Sequence, residues 1–92
     1  MSDDPTKKRM ARAKRRAHDD LLSLGYQVIP SDNQPVCLVA YRGGEVRLIR
    51  ICLDEATAAD RKTLGRVSAS SAVSRELWVR ARGVERFSII RL

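Results

Sequence analysis

Residues 35–53 read PVCLVAYRGGEVRLIRICL. Val36 to Arg42 is apolar at nearly every position, the pattern of a strand covered on both faces. Gly43-Gly44 is a two-residue hairpin signal, because a tight turn needs backbone angles that glycine adopts without steric cost. Glu45 to Leu53, rich in Val, Ile and Leu, is then the return strand. With Arg42 facing Glu45 across the turn, Cys37 falls opposite Arg50 on one sheet face. Cys52, two residues beyond Arg50, shares that face. A slip of one residue would undo the arrangement.

Working outward, Tyr26 to Pro30 reads as a short strand, joined to the hairpin by the turn chemistry of Ser31 to Gln34. Before it, Met10, Ala13, Ala17, Leu21 and Leu24 recur at helical spacing. Asp4 caps that helix, Pro5 opens it and Gly25 stops it. Residues 1–4 are expected to be flexible. On the other side, Thr57 and Asp60 form a capping box for a second helix, with Leu64 and Val67 facing the core and Gly65 weakening it. Ser68 to Ser74 is a small-residue loop. Leu77 to Arg82 alternates apolar and basic residues, a strand with one wet face. Gly83 turns the chain, and Arg86 to Leu92 is a last strand at a sheet edge. The order α-β-β-β-α-β-β makes one α/β domain spanning residues 1–92.

At 92 residues the domain buries roughly 60–65% of its unfolded surface, which leaves no material for a separate lobe. Hydrophobic residues are 43% and charged residues 32% of the chain, a globular composition. No apolar run approaches the ~18 residues of a membrane span, so no membrane partner is expected. The charged N-terminus lacks the apolar core of a signal peptide, which leaves a cytoplasmic location as the expectation. Cys37 and Cys52 are expected as free thiols there. The net charge is +7, and Lys7, Lys8, Arg9, Arg12, Lys14, Arg15 and Arg16 crowd one short stretch. Such a field attracts polyanions, of which nucleic acid is the commonest in a cell. The alternative is a solvated helix face that aids solubility.

The element order resembles the restriction-endonuclease-like, or PD-(D/E)xK, nuclease superfamily. The resemblance is clearest in small nuclease-like proteins related to Holliday-junction resolvases. The stretches that carry the resemblance are Gly25-Tyr26-Gln27-Val28, Pro35-Val36-Cys37-Leu38-Val39-Ala40, Leu48-Ile49-Arg50-Ile51-Cys52 and Glu76-Leu77-Trp78-Val79. They correspond in order to the family's G-[YF]-x-V, P-x-D-L-[IV]-A and [EQ]-[VI]-K motifs and to its fourth strand. The resemblance implies a mixed central sheet flanked by helices. In the family an aspartate and a glutamate bind a divalent ion that activates water, and a lysine assists. Carried over, those positions are Cys37, Arg50 and Cys52. Cysteine offers no hard oxygen for magnesium, and Arg50 places a fixed positive charge where the ion would sit. The resemblance therefore implies a nuclease-like domain without catalytic residues, metal or other cofactor: a pseudoenzyme.

Several residues have competing readings. Cys37 and Cys52 are a redox pair or half a soft-metal site, or small buried hydrophobes. Arg50 contacts a phosphate, or pairs with Asp19 or Asp20 of the first helix. Asp32, Glu45, Asp54 and Glu55 are acids near the presumed centre, and a relocated metal site using Asp32 with Asp54 or Glu55 would make the chain a true nuclease. His18, Asp19 and Asp20 point in different directions from their helix and do not converge on one ion. Trp78 stacks on a base or packs in the core. Arg80, Arg82, Arg86 and Arg91 extend the basic surface. The expected function is non-catalytic binding of nucleic acid, DNA more than RNA, through Lys8, Arg9, Arg12, Arg15, Arg16, Arg50, Arg80 and Arg82. The alternative is a small module of phage or mobile-element type that binds a protein partner or forms a homodimer, with the edge strand available for pairing.

Overall fold

The computed structural model describes residues 5–31 and 35–92. Its elements are α1 (Pro5–Ser23), β1 (Gln27–Pro30), β2 (Leu38–Arg42), β3 (Glu45–Leu53), α2 (Ala58–Gly65), β4 (Val73–Arg80) and β5 (Ser88–Arg91). The proposed cap Asp4, the tail 1–4, and Asp32 to Gln34 of the turn lie outside the described residues. The five strands form one mixed sheet in the order β1-β2-β3-β4-β5. Only β3 and β4 pair in parallel; the other neighbours are antiparallel. A parallel pair needs a crossover connection, and α2 provides it.

The β2–β3 hairpin closes on Arg42 opposite Glu45, with Gly43 at φ 58°. The ladder holds the expected register from there to Leu38 opposite Ile49. It then slips: the Cys37 amide also bonds the Ile49 carbonyl, at 2.8 Å, and Ser31 donates its own amide to the Cys37 carbonyl. Cys37 and Leu38 thus both address Ile49, a bulge-like offset. The strand expected from Val36 begins at Leu38, and Cys37 does not face Arg50.

One helix covers each face. Ala13, Ala17 and Leu21 of α1 pack on Tyr26, Leu38, Ala40, Ile49, Ile51 and Trp78. Alanine at two successive turns lets the helix lie close to the sheet. On the other face Leu64 of α2 packs with Val36, Cys52, Leu77 and Val79. Leu21, Ile49, Leu64 and Leu77 are fully buried, each contributing about 1.5–3 kcal/mol of hydrophobic stabilisation. Thr57 and Asp60 form the reciprocal capping box at the start of α2.

Two expectations fail for packing reasons. Leu24 is 56% exposed: α1 ends at Ser23, and Leu24 lies in the turn that Gly25, at φ 89°, completes. The strand expected over Leu77 to Arg82 with one wet face is Val73–Arg80, and Glu76, Leu77, Trp78 and Val79 are all buried. It lies between β3 and β5 with a helix over each side, so it has no wet face. The last strand is shorter than expected, Ser88–Arg91, and lies at the sheet edge. Among the described residues no helix is long and apolar enough to cross a membrane.

Candidate functional site: an arginine-lined cleft

The parallel pair β3 and β4 ends at Leu53 opposite Arg80. Beyond the carboxyl ends of parallel strands, diverging connections leave a crevice, where ligands of open α/β sheets bind. Here the first half of α1 forms the other wall. Arg9, Arg12 and Ala13 face Leu53, Arg80, Arg82, Val84 and Glu85 around a cleft of about 400 Å³.

Asp54 anchors this corner. It is the one non-glycine residue at positive φ, 71°, among those described, a conformation aspartate tolerates better than most side chains. Its amide bonds the Arg80 carbonyl at 2.9 Å. Its carboxylate accepts a fork from Arg9, Nη1 at 3.1 Å and Nη2 at 2.8 Å. That fork, with added help from Arg82, holds the Asp54 carboxyl below its usual range and raises Arg9 in turn. Arg12 and Arg82 are exposed at the cleft mouth. Arg80 is recessed. Its guanidinium lies 5.6 Å from the Phe87 ring, and its Nη1 is buried with no hydrogen-bond partner among the described residues. A buried donor of this kind costs about 1–3 kcal/mol until an acceptor reaches it.

The wall continues. Arg9, Arg12 and Arg16 are spaced to share one side of α1. Past Arg12, a second hollow of about 500 Å³ is lined by Arg16, Asp20, Leu24, Trp78, Arg86, Phe87 and Ile89. Arg16 bonds Asp20 at 3.1 Å. Trp78, only 3% exposed, packs at 5.2 Å against Phe87. It is a core residue at the floor of the hollow, and its own faces are not open for stacking. Both hollows are walled by α1, the first by Arg9 and Arg12 and the second by Arg16 and Asp20, and on the other side by residues 80–85 and then 86, 87 and 89.

The structure distributes the other sequence candidates elsewhere. Arg15 lines a third hollow with Lys14, His18 and Cys37, on another side of α1. Lys8 is exposed and lines none of the hollows. Arg50 pairs neither with Asp19 nor with Asp20: its Nε donates to Asp60 of α2 at 3.0 Å and its Nη1 to the Pro35 carbonyl at 3.1 Å. It ties α2 to the sheet.

Cys37, Arg50 and Cys52 do not share one sheet face, although Cys37 still acts electrostatically on Cys52. Cys37 packs in the α1 layer, whereas Cys52 packs in the α2 layer beside Arg50. Both thiols are free and buried. Burial, then the neighbouring Asp60, pushes the Cys52 thiol up to about 12, so at neutral pH it is protonated. Among the described residues no group of three or more His, Cys, Asp or Glu side chains could hold a metal ion. Asp54 is committed to Arg9, Glu45 receives the Tyr26 hydroxyl at 3.3 Å, and Glu55 is exposed. Asp32 lies outside the described residues.

Sequence reasoning missed one charged centre. Glu76 is fully buried in the α1 layer. It accepts from Arg47 Nε at 3.0 Å and Nη2 at 2.5 Å, from Ser74 Oγ at 2.6 Å and from Trp78 Nε1 at 3.0 Å. The Arg47 guanidinium lies between the rings of Tyr26, at 5.2 Å, and Trp78, at 5.3 Å. Burial pushes the Glu76 carboxyl up, but Arg47, Ser74 and Trp78 together outweigh it and hold the acid below its ordinary range. No spacing signal marks this pair, because it depends on the register of β3 against β4.

No protein-family model matches the chain, and no curated protein matches it in sequence.

Proposed function

We propose that this chain is a non-catalytic nucleic-acid-binding domain on a restriction-endonuclease-like scaffold. The observation that carries the reading is the cleft. Arg9 and Arg12 from one end of the chain and Arg80 and Arg82 from the other line one hollow, in a protein of net charge +7. Guanidiniums suit phosphate because they are always charged and present several donors in a plane. The cleft displays no base-reading pattern, so the reading is of backbone contacts with weak sequence preference.

One feature is compatible with the scaffold: a five-stranded mixed sheet with a helix on each face, the α/β class that the sequence motifs imply. The positions matched to the family's carboxylates and lysine hold Cys37, Arg50 and Cys52, none of them an oxygen ligand. These three do not share a pocket, so the non-catalytic reading rests on their chemistry and on the commitment of Asp54 to Arg9.

Anisotropy titrations with duplex, branched and single-stranded DNA and with RNA, at ~50 and ~200 mM salt, test the proposal. Binding should weaken at the higher salt, and Arg82→Gln should flatten that dependence. Absence of binding to every probe at low salt refutes it. Cleavage with magnesium or manganese would refute its non-catalytic part.

One observation favours a second reading, association through a sheet edge. Edge strand β5 leaves Ile89 48% exposed, and edge strand β1 leaves Ile29 52% exposed. Sedimentation across a range of protein concentrations distinguishes a monomer from an edge-paired dimer.

A further inference from the structure

We infer that the partner is a single strand of nucleic acid, seated lengthwise between α1 and residues 80–89. This rests on the nucleic-acid reading above and deepens it by naming the form of the ligand.

Three features of the groove select a single strand, and the first is size. The hollows of about 400 and 500 Å³ are each on the scale of a small-ligand site, roughly 300–1,000 Å³. That admits a nucleotide, whereas a duplex is far too wide to enter. The second is depth. A duplex resting on the outside reaches the exposed Arg12 and Arg82, but not Arg80, which is recessed beneath them. A strand inside the cleft brings phosphate oxygens towards Arg80 Nη1, the one buried guanidinium nitrogen without an acceptor among the described residues. Contact requires Arg80 to turn its buried Nη1 towards the strand.

The third is the order of chemistry along the groove. Arg9 and Arg12 lie opposite Arg80 and Arg82; farther along, Arg16 lies opposite Arg86. Arg9 and Arg16 are about 10 Å apart along the helix axis, from a rise of ~1.5 Å per residue. The second hollow ends on apolar surface: Leu24 is 56% and Ile89 48% exposed, with Phe87 between α1 and the sheet. A basic groove that follows the backbone and ends on apolar and aromatic surface is how proteins hold single strands, with phosphates on the cations and a base against the apolar part. Duplex phosphates have no use for the apolar end, because duplex bases face inward.

Trp78 is the protein's single tryptophan and floors the second hollow, so binding there reports itself. The probes are oligodeoxythymidylate of about 12 nucleotides and a mixed-sequence duplex of the same length, both at low salt. The oligothymidylate should bind about tenfold or more tighter and should change the Trp78 emission. Arg80→Gln should weaken single-strand binding about fivefold or more and leave duplex binding within twofold. Ile89→Thr, at an exposed position that keeps strand propensity, should reduce both single-strand affinity and the emission change. Arg61→Gln on α2, across the sheet, should alter neither. Duplex binding as tight as the oligothymidylate, or equal losses on both probes in Arg80→Gln, overturns the inference and leaves nucleic-acid binding standing. Binding to neither probe, nor to RNA, removes both.

Discussion

Glu76→Gln is the sharpest test of what holds the two halves of the sheet together. Arg47 on β3 and Glu76 on β4 meet under α1, with side-chain exposures of 12% and 0%. Every group around the carboxylate is a donor: the Arg47 fork, the Ser74 hydroxyl, the Trp78 indole and, at 3.6 Å, the exposed Arg91 guanidinium of β5. Glutamine keeps the shape but offers one oxygen and one donating NH2, so at least one donor loses its partner and the guanidinium loses its counter-charge. Breaking a buried pair from one side costs about 3–5 kcal/mol. The rings of Tyr26 and Trp78 still hold the cation, which places the expected loss near the lower end, about 3 kcal/mol. A domain of 92 residues has roughly 5–14 kcal/mol of total stability. The variant should therefore melt about 12–24 °C lower. Urea unfolding followed by Trp78 emission and by far-ultraviolet circular dichroism at neutral pH measures the change. The double variant Arg47→Met/Glu76→Leu removes both charges but leaves the Ser74 hydroxyl and the Trp78 indole without their acceptor, so it should recover only part of the loss. The pH dependence carries the same sign. Glu76 is held below its ordinary range, so its contribution is present above the unfolded value of about 4.3 and is lost as pH falls through the lower folded value. The glutamine variant should show a flatter loss of stability in that acid window. A cost under about 1 kcal/mol for Glu76→Gln would refute the reasoning.

Two further outcomes follow from the site geometry. Asp54→Asn should preserve the fold, because asparagine accepts the positive φ of 71°. It should also raise affinity for oligonucleotides severalfold at low salt by freeing Arg9 of its counter-charge; an unchanged or weaker affinity by anisotropy counts against the cleft. Cys52, with its thiol pushed up to about 12, should resist iodoacetamide at pH ~8 in the folded protein and react only after unfolding. Mass spectrometry of timed samples checks this, and rapid labelling of the native protein would contradict the buried placement.

The hairpin and the α2 cap were legible because their causes are local. Gly43 takes the backbone angle the turn needs, and Thr57 and Asp60 bond each other across one helical turn. Alternation along β3 correctly put Arg50 and Cys52 on one face, but nothing in that strand says which helix covers the face. It is α2, so Arg50 meets Asp60 and not the acids of α1. The slip at Cys37 was hidden for a similar reason, since the Ser31 amide that takes its carbonyl comes from outside the hairpin.

The basic residues were visible as two runs, one in the first helix and one near the end of the chain. Their meeting in one cleft was not, because it requires β4 to lie beside β3 and α1 to cross the ends of both. Element type, turn position and the sign of the charge are written in neighbouring residues, where sterics and short-range hydrogen bonds act. The buried Glu76–Arg47 pair, the separation of the two cysteines and the arginine cleft arise from the parallel register of β3 and β4 and from the choice of helix for each face. Both are set by burying the whole apolar surface at once, an energy that no segment contains alone.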